Sequence, residues 1–270
     1  MGKKRIICVM AVVLLMLGSV QAGAVRSGFD SSFLARNDDL STGQVAVGFD
    51  LNFFGTTYSS LYVNNNGNVT FNGAMWQYTP YGLTTATGRP VIAPFFADVD
   101  TRAAGSDVVR FGPGMVDGRN AFGVDWVDVG YYNIRADKLN SFQLVLIDRS
   151  DRNPGDFDVE FNYDQILWET GGASAGVNGF GGQSARAGYS SGSGAAGTFF
   201  ELAGSGVNGY FLDGSATGLI FGSLNSSIAG QYVFSVVNGL PQPVAPAPGA
   251  LLLGGIGLSV LGYLRRRKTI

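Results

Sequence analysis

The chain has 270 residues, enough for one large all-β domain or two small ones, and 41 of them are glycine, about twice the usual share. Histidine is absent and Cys8 is the single cysteine, which excludes zinc and copper sites of the common kinds and histidine-dependent triads. Seven of the 18 basic residues lie in the two terminal segments, so the stretch between them carries 11 basic and all 20 acidic residues, a net charge of −9 that repels nucleic acid and anionic lipid.

In chain order, the first element is an address label. Lys3, Lys4 and Arg5 form a positive n-region, Ile6 to Leu17 is an apolar helical core, and Ala22-Gly23-Ala24 is a small-x-small cleavage site. Residues 1–24 therefore read as a secretory signal peptide, with Ala22 and Ala24 presented to the signal peptidase. Its removal takes Cys8 with it, so the exported chain holds together by packing alone.

Arg26 to Leu40 reads as a polar lead-in with one turn. Val45, Val47, Phe49 and Leu51 then alternate with polar or small residues, the period of a half-buried strand. Phe53 to Phe71 contains two β-rich runs around Asn64-Asn65-Asn66-Gly67-Asn68, and an Asn-Gly step between such runs predicts a hairpin. Met75 to Arg89 is irregular. Val91 to Val99 is apolar, but Pro94 cannot donate to a ladder and belongs at an edge or bulge. Val108 to Phe111 is a short run, and Phe122, Val124 and Trp126 alternate in the next. Ser141 to Ile147 is apolar on both faces and reads as central. Asp148 to Asp156 connects it to Phe157–Tyr163, which has one wet face. Gly171 to Gly197 is a long Gly/Ser/Ala stretch with Arg186–Tyr189 as its better strand. Phe199–Leu202, Gly218–Phe221 and Tyr232–Val237 follow. No helical period is sustained between the termini, so hairpin-linked strands imply an antiparallel sandwich.

The C-terminus is a second address label. Residues 241–249 form a Pro-rich linker. Residues 250–264 form an apolar Leu/Gly helix roughly 24 Å long if counted from Gly249, marginal for a bilayer but workable with thinning or snorkelling. Residues 265–270 hold Arg265, Arg266 and Arg267, a stop-transfer cluster that stays cytoplasmic. This tail resembles the bacterial PEP-CTERM sorting signal, with Pro246-Ala247-Pro248 in the place of its proline motif. Ala247 stands where that family has Glu, so cleavage by the family's exosortase and a plain tail anchor both stay open. The resemblance implies a Gram-negative-type host that makes exopolysaccharide.

Residues 25–240 carry a second resemblance. Phe53-Phe54-Gly55-Thr56-Thr57-Tyr58-Ser59-Ser60-Leu61-Tyr62-Val63-Asn64-Asn65-Asn66-Gly67 resembles the opening of a nidogen-like (NIDO) domain. Ile92–Asp100, Ala121–Trp126 with Val129–Tyr132, Asn140–Leu146, Phe161–Tyr163 with Trp168, Ala187–Tyr189 and Gly230–Phe234 follow in that family's order, covering about residues 28–238. In animals such domains sit in extracellular-matrix and adhesion proteins, which implies a binding or structural role without catalysis.

Polar candidates remain. Asp98 and Asp100 share a strand face. One reading has them chelating Ca²⁺ with loop carbonyls, another has them solvated or paired with Arg102, and an acid–base pair is a third. Asp148, Asp151, Asn153, Asp156 and Asp158 crowd one loop without EF-hand spacing and read as a solvated turn. Asp125, Asp128 and Glu160 read as exposed strand positions. Trp76, Tyr78, Tyr81, Tyr131 and Tyr132 either stack on a sugar or protein partner or pack at the sheet rim. Asn68 and Asn225 begin N-glycosylation sequons. No pair of carboxylates is singled out for glycoside hydrolysis.

The expectation is an all-β, antiparallel sandwich of about ten to twelve strands, plus an N-terminal signal helix and a C-terminal transmembrane helix. It would be an exported, anchored or sorted, non-enzymatic protein of the bacterial surface or extracellular matrix that mediates cell–matrix adhesion. Its partner would be a matrix or surface polymer or protein, not nucleic acid, and no cofactor is assigned beyond the weak calcium candidates. The alternative is a calcium-assisted module that binds exopolysaccharide.

Overall fold

The computed structural model describes residues 23–242. Nearly all of the signal segment, the sorting motif Pro246-Ala247-Pro248, the span 250–264 and the tail with Arg265, Arg266 and Arg267 lie outside the described residues. Among the described residues no helix is long and apolar enough to cross a membrane.

The strands are β1 (Ser32–Phe33), β2 (Val45–Phe53), β3 (Thr56–Asn64), β4 (Asn68–Thr70), β5 (Val91–Phe96), β6 (Arg110–Val116), β7 (Arg119–Tyr131), β8 (Arg135–Asp148), β9 (Phe157–Gln165), β10 (Arg186–Ser190), β11 (Phe199–Glu201), β12 (Gln231–Val237) and β13 (Leu240–Pro241). They form two antiparallel sheets, ordered β1-β6-β7-β8-β9-β12-β13 and β11-β10-β5-β4-β3-β2. Thirteen strands exceed the ten to twelve expected; β1 and β13 have two residues each, too few to leave a periodic trace.

The sheets pack face to face through alternate residues, as period two requires. Val124 and Trp126 of β7, Phe142, Leu144 and Leu146 of β8, and Phe157, Val159 and Phe161 of β9 meet Val63, Val69, Ile92 and Phe95 of the smaller sheet. The Trp126 and Phe142 rings stack at 5.3 Å between centroids, and Phe95 sits 5.1 Å from Phe142 and 5.8 Å from Trp168. β8 is the middle strand of its sheet, as its two apolar faces implied.

Pro94 lies at a bulge. β10 pairs on both sides of it with a register shift between Arg186 and Gly188, and β4 stops short of it. The Pro94 carbonyl accepts from the Tyr163 hydroxyl at 2.6 Å. β6 runs further than expected, through Pro113, because β1 covers only Phe111 and Arg110 and leaves Pro113 on a free edge. Gly218–Phe221 is a turn rather than a strand. Of its three apolar residues only Leu219 is fully buried, with Phe211, where the loop closes the sandwich; Ile220 is partly buried and Phe221 exposed.

The largest departure concerns the lead-in. Residues 24–31 strap the outer face of the larger sheet. Val25 N–H donates to Asp164 Oδ1 at 3.0 Å, Arg26 N–H to Gln143 Oε1 at 3.0 Å, and Gln143 Nε2 returns a bond to the Arg26 carbonyl at 2.7 Å. The Arg26 guanidinium bridges Glu160 at 2.7 Å. Phe29 then fills a floor made by Gly114 and Gly123, where any Cβ would overlap its ring, and packs with Val116, Ala121, Val145 and Ile147. Asp125 and Glu160, expected on an exposed face, are buried under this strap, while Asp128 is exposed.

Two expectations follow. Phe29→Ala removes a fully buried ring and should cost about 3–5 kcal/mol in denaturant unfolding. Asp125 is pushed up to about 6, first by burial and then by Asp30, against the lowering donation from Gln143 and the charge of Arg110. Its folded value therefore lies above its unfolded one, so its contribution to stability is present below about pH 4 and is lost as pH rises through 6, by up to about 3 kcal/mol. Asp125→Asn keeps the acceptor for Gln143 Nε2. It should flatten the pH–stability profile between pH 4 and 6 and raise the melting temperature at pH 7.

Candidate functional site

The turn between β3 and β4 organises one end of the sandwich. Residues 64–70 are all buried, although six of the seven are polar or glycine. Gly67 has φ of 71°, which glycine adopts without strain, and a Cβ there would overlap the Phe95 carbonyl. The first three of the turn's four asparagines spend their amides on neighbours. Asn64 Nδ2 donates to Asn68 Oδ1 at 2.7 Å and to Thr70 Oγ1 at 3.0 Å. Asn65 Nδ2 donates to the Asp38 carbonyl, and to that of Val99 at 2.6 Å. Asn66 Nδ2 donates to Asp39 Oδ1 at 2.9 Å, while its Oδ1 accepts from Val99 N–H at 2.9 Å. The Asn68 sequon is thus buried and closed to modification in the folded chain, whereas Asn225 is at the surface.

These bonds draw the lead-in loop onto the strand that leaves β5. Asn37 and Thr101 exchange three bonds, Asn37 Oδ1 accepts from Leu40 N–H, and Arg36 donates to the carbonyls of Thr101, Ala103 and Ser106. Asp38 and Asp39 are held against Asp98 as a result. Carboxylate oxygens of the three lie within 4.8 Å of one another. Gly171 closes the far side, so near that a Cβ would overlap the Asp98 carboxylate.

Asp98 and Asp100 have different partners. Asp100 accepts from Arg102 N–H and Nε at 2.9 Å on one oxygen, and from Arg102 Nη2 at 2.6 Å and Ile134 N–H at 2.8 Å on the other. Burial pushes its carboxyl up, but the Arg102 and Ile134 donors outweigh burial and hold it below the usual range. Asp98 is 1% exposed and has no hydrogen-bond partner on either oxygen. Burial first, then Asp38, Asp39 and Asp100, push it up to about 8. Asp38 rises to about 6 by burial, then by Asp100 and Asp39, despite Arg102 Nη2 at 3.0 Å, and Asp39 also rises by burial.

The other acidic loop is different. Arg149 bridges Asp151 at 3.1 Å and also Asp158, and Arg152 bridges Asp158 at 3.1 Å. Asp156 is buried, not solvated as expected, and accepts from Asn238 N–H at 2.7 Å. Each of these carboxylates has its own cation or donor, and the loop closes the sheet rather than offering a site.

The aromatics divide. Tyr131 is buried, with its ring 5.5 Å from that of Trp168, and Tyr81 packs on Phe96 at 5.3 Å. Trp76 is 68% and Tyr78 38% exposed. Their loop is tied to the acidic end, because Asn66 Nδ2 also donates to the Gln77 carbonyl at 3.3 Å and Thr79 Oγ1 bonds Ser174 Oγ at 3.0 Å.

A family model of the nidogen-like domain matches residues 59–115 and 104–238. The chain belongs to the nidogen-like domain family. This nidogen-like chain is 34% identical to alpha-tectorin of Mus musculus over 191 residues and 33% identical to that of Homo sapiens over 196, covering 62% of the chain and 8% of each relative. It is 30% identical to nidogen of Drosophila melanogaster over 121 residues, 36% of the chain and 9% of that protein. The chain thus spans under a tenth of the length of these relatives. No solved structure matches it. The two matched ranges together hold the β3–β4 turn, Asp98, Asp100 and Gly171; Asp38 and Asp39 precede them.

Sequence reasoning reached Asp98 but missed Asp38 and Asp39, whose partners lie dozens of residues away. The adjacent acids in Asn37-Asp38-Asp39 were the signal available. Gly171→Ala has an ordinary φ of −80° and so tests packing alone. It should lower stability by about 1–3 kcal/mol, read as a lower midpoint in urea with an unchanged slope.

Proposed function

We propose that this chain is an exported, non-catalytic structural or adhesive protein of the bacterial surface or extracellular matrix. Membership of the nidogen-like family carries the reading, since such domains sit in extracellular-matrix and adhesion proteins. The signal segment 1–24 supports export. Cleavage after Ala24 would leave the new α-amino group on Val25, whose nitrogen lies 3.0 Å from Asp164 Oδ1, so the trimmed terminus gains a carboxylate partner. The tail is proposed as a PEP-CTERM-type signal, with the helix 250–264 anchoring the chain until it is sorted. Ala247 makes release by an exosortase the finer point to test, through the mass of the mature C-terminus.

One observation favours the second reading, a calcium-assisted carbohydrate-binding module. Trp76 and Tyr78 present two aromatic faces to solvent on a loop bonded to Asn66, beside Asp39. A flat aromatic face beside an acidic pocket suits the apolar face and hydroxyl rim of a sugar.

The experiment is retention of the producing cell's own surface polymers and proteins on the immobilised chain. A component should be retained by the parent and about tenfold less by Trp76→Ala, a surface change that leaves the core intact. Equal retention by the variant removes this loop from the interface. Turnover of any glycoside would overturn the non-catalytic reading.

A further inference from the structure

We infer that Asp38, Asp39 and Asp98 form a calcium site completed by the Asn65 side-chain carbonyl. The site goes beyond the binding role above and does not depend on which partner that role involves.

The first observation is an accounting of donors. Among the described residues, five buried side-chain oxygens lack a hydrogen-bond partner: both of Asp98, Asp38 Oδ1, Asn65 Oδ1 and Thr170 Oγ1. Buried polar atoms are otherwise satisfied almost without exception. Four of the five belong to Asp98, to Asp38 beside it, or to Asn65, whose amide bonds the Asp38 and Val99 carbonyls. The fifth adjoins Gly171, which packs on Asp98. The orientation of the Asn65 amide is not arbitrary: both its partners are carbonyls, which only accept, so Nδ2 must face them and Oδ1 is left with a free lone pair.

The second observation is charge. Three carboxylates converge within 4.8 Å, and the nearby cation, Arg102, already bridges Asp100 at 2.6 Å and Asp38 at 3.0 Å. Two solutions exist for such a cluster. A proton on Asp98 removes one charge but supplies one donor for one acceptor. A divalent cation neutralises two charges and satisfies several oxygens at once.

The donor set selects the ion. All candidate ligands are hard oxygens, without the nitrogen or sulfur that favours zinc or copper. Three carboxylates and an amide carbonyl, drawn from a loop, a turn and a strand end, suit the six to eight loosely arranged oxygens of Ca²⁺ rather than the small, water-rich octahedron of Mg²⁺. Asp38 and Asp39 are half-buried and leave an entry path. Bound calcium would tie the lead-in to the β3–β4 turn and the end of β5.

The test is thermal unfolding and isothermal titration of the full chain after stripping with a chelator. Calcium about a hundredfold above its Kd should raise the melting temperature by about 5–10 °C. Asp98→Asn should lose that shift while melting, without calcium, no lower than the parent, because a buried repelling charge has gone. Should Asp98→Asn fail to fold, Asp39→Asn decides instead: its amide oxygen still accepts from Asn66, and it should weaken calcium binding at least tenfold. An unchanged melting temperature and no heat at 10 mM calcium would overturn the site. So would a full calcium shift in the folded Asp98→Asn or Asp39→Asn variant, or an equal shift from magnesium. Partner retention that survives chelation leaves the adhesive reading standing whether or not calcium binds.

Discussion

No side chain larger than hydrogen fits at position 67, and much of this end of the sandwich depends on that. Because Gly67 turns against the Phe95 carbonyl, the Asn64–Asn68 turn sinks between the sheets instead of projecting into water. Its polar groups must then find partners inside. The Asn65 backbone carbonyl accepts from the Trp126 indole at 3.0 Å, which orients one of the two buried indoles of the core. The amides of Asn65 and Asn66 reach outward to Val99, Asp38 and Asp39. A tight turn thus couples an aromatic core on one side to an acidic pocket on the other.

Two acidic clusters in the chain show how geometry decides between structure and site. In the β8–β9 loop, arginines two to nine residues from their aspartates neutralise each carboxylate, and the loop becomes a clasp. At the other end of the sandwich, Arg102 is taken by Asp100 and Asp38, and Asp98 is left buried with two empty acceptors. Burial raises the free energy of an unpaired carboxylate far more than exposure does. A charge kept in such a place costs stability unless a proton or a cation joins it.

Much of the fold was legible in the residues. Alternation in β2, β7 and β9 and the double apolar face of β8 placed those strands, because period two marks which residues share a sheet face, but the polar face of β9, expected to be wet, is buried along Phe157–Tyr163. Pro94 marked a bulge through its missing donor. Gly218–Phe221 misled, because apolar residues in a core-closing loop imitate a short strand. The strap was invisible for the opposite reason. A single phenylalanine in a polar stretch carries no period, and the glycines that receive it lie more than 80 residues downstream.

Taken alone, the sequence determined the all-β class, the family and most strand positions, since these follow from local propensity and ordered motifs within a few residues. It also placed a candidate acid at Asp98. Only the tertiary structure decided that Asp100 belongs to Arg102, that Asp38 and Asp39 are the neighbours of Asp98, and that the asparagine turn is buried rather than wet. Those outcomes depend on which oxygens remain without a donor once the two sheets and the lead-in have closed, and contacts between residues 27 to 64 positions apart leave no local trace in the chain.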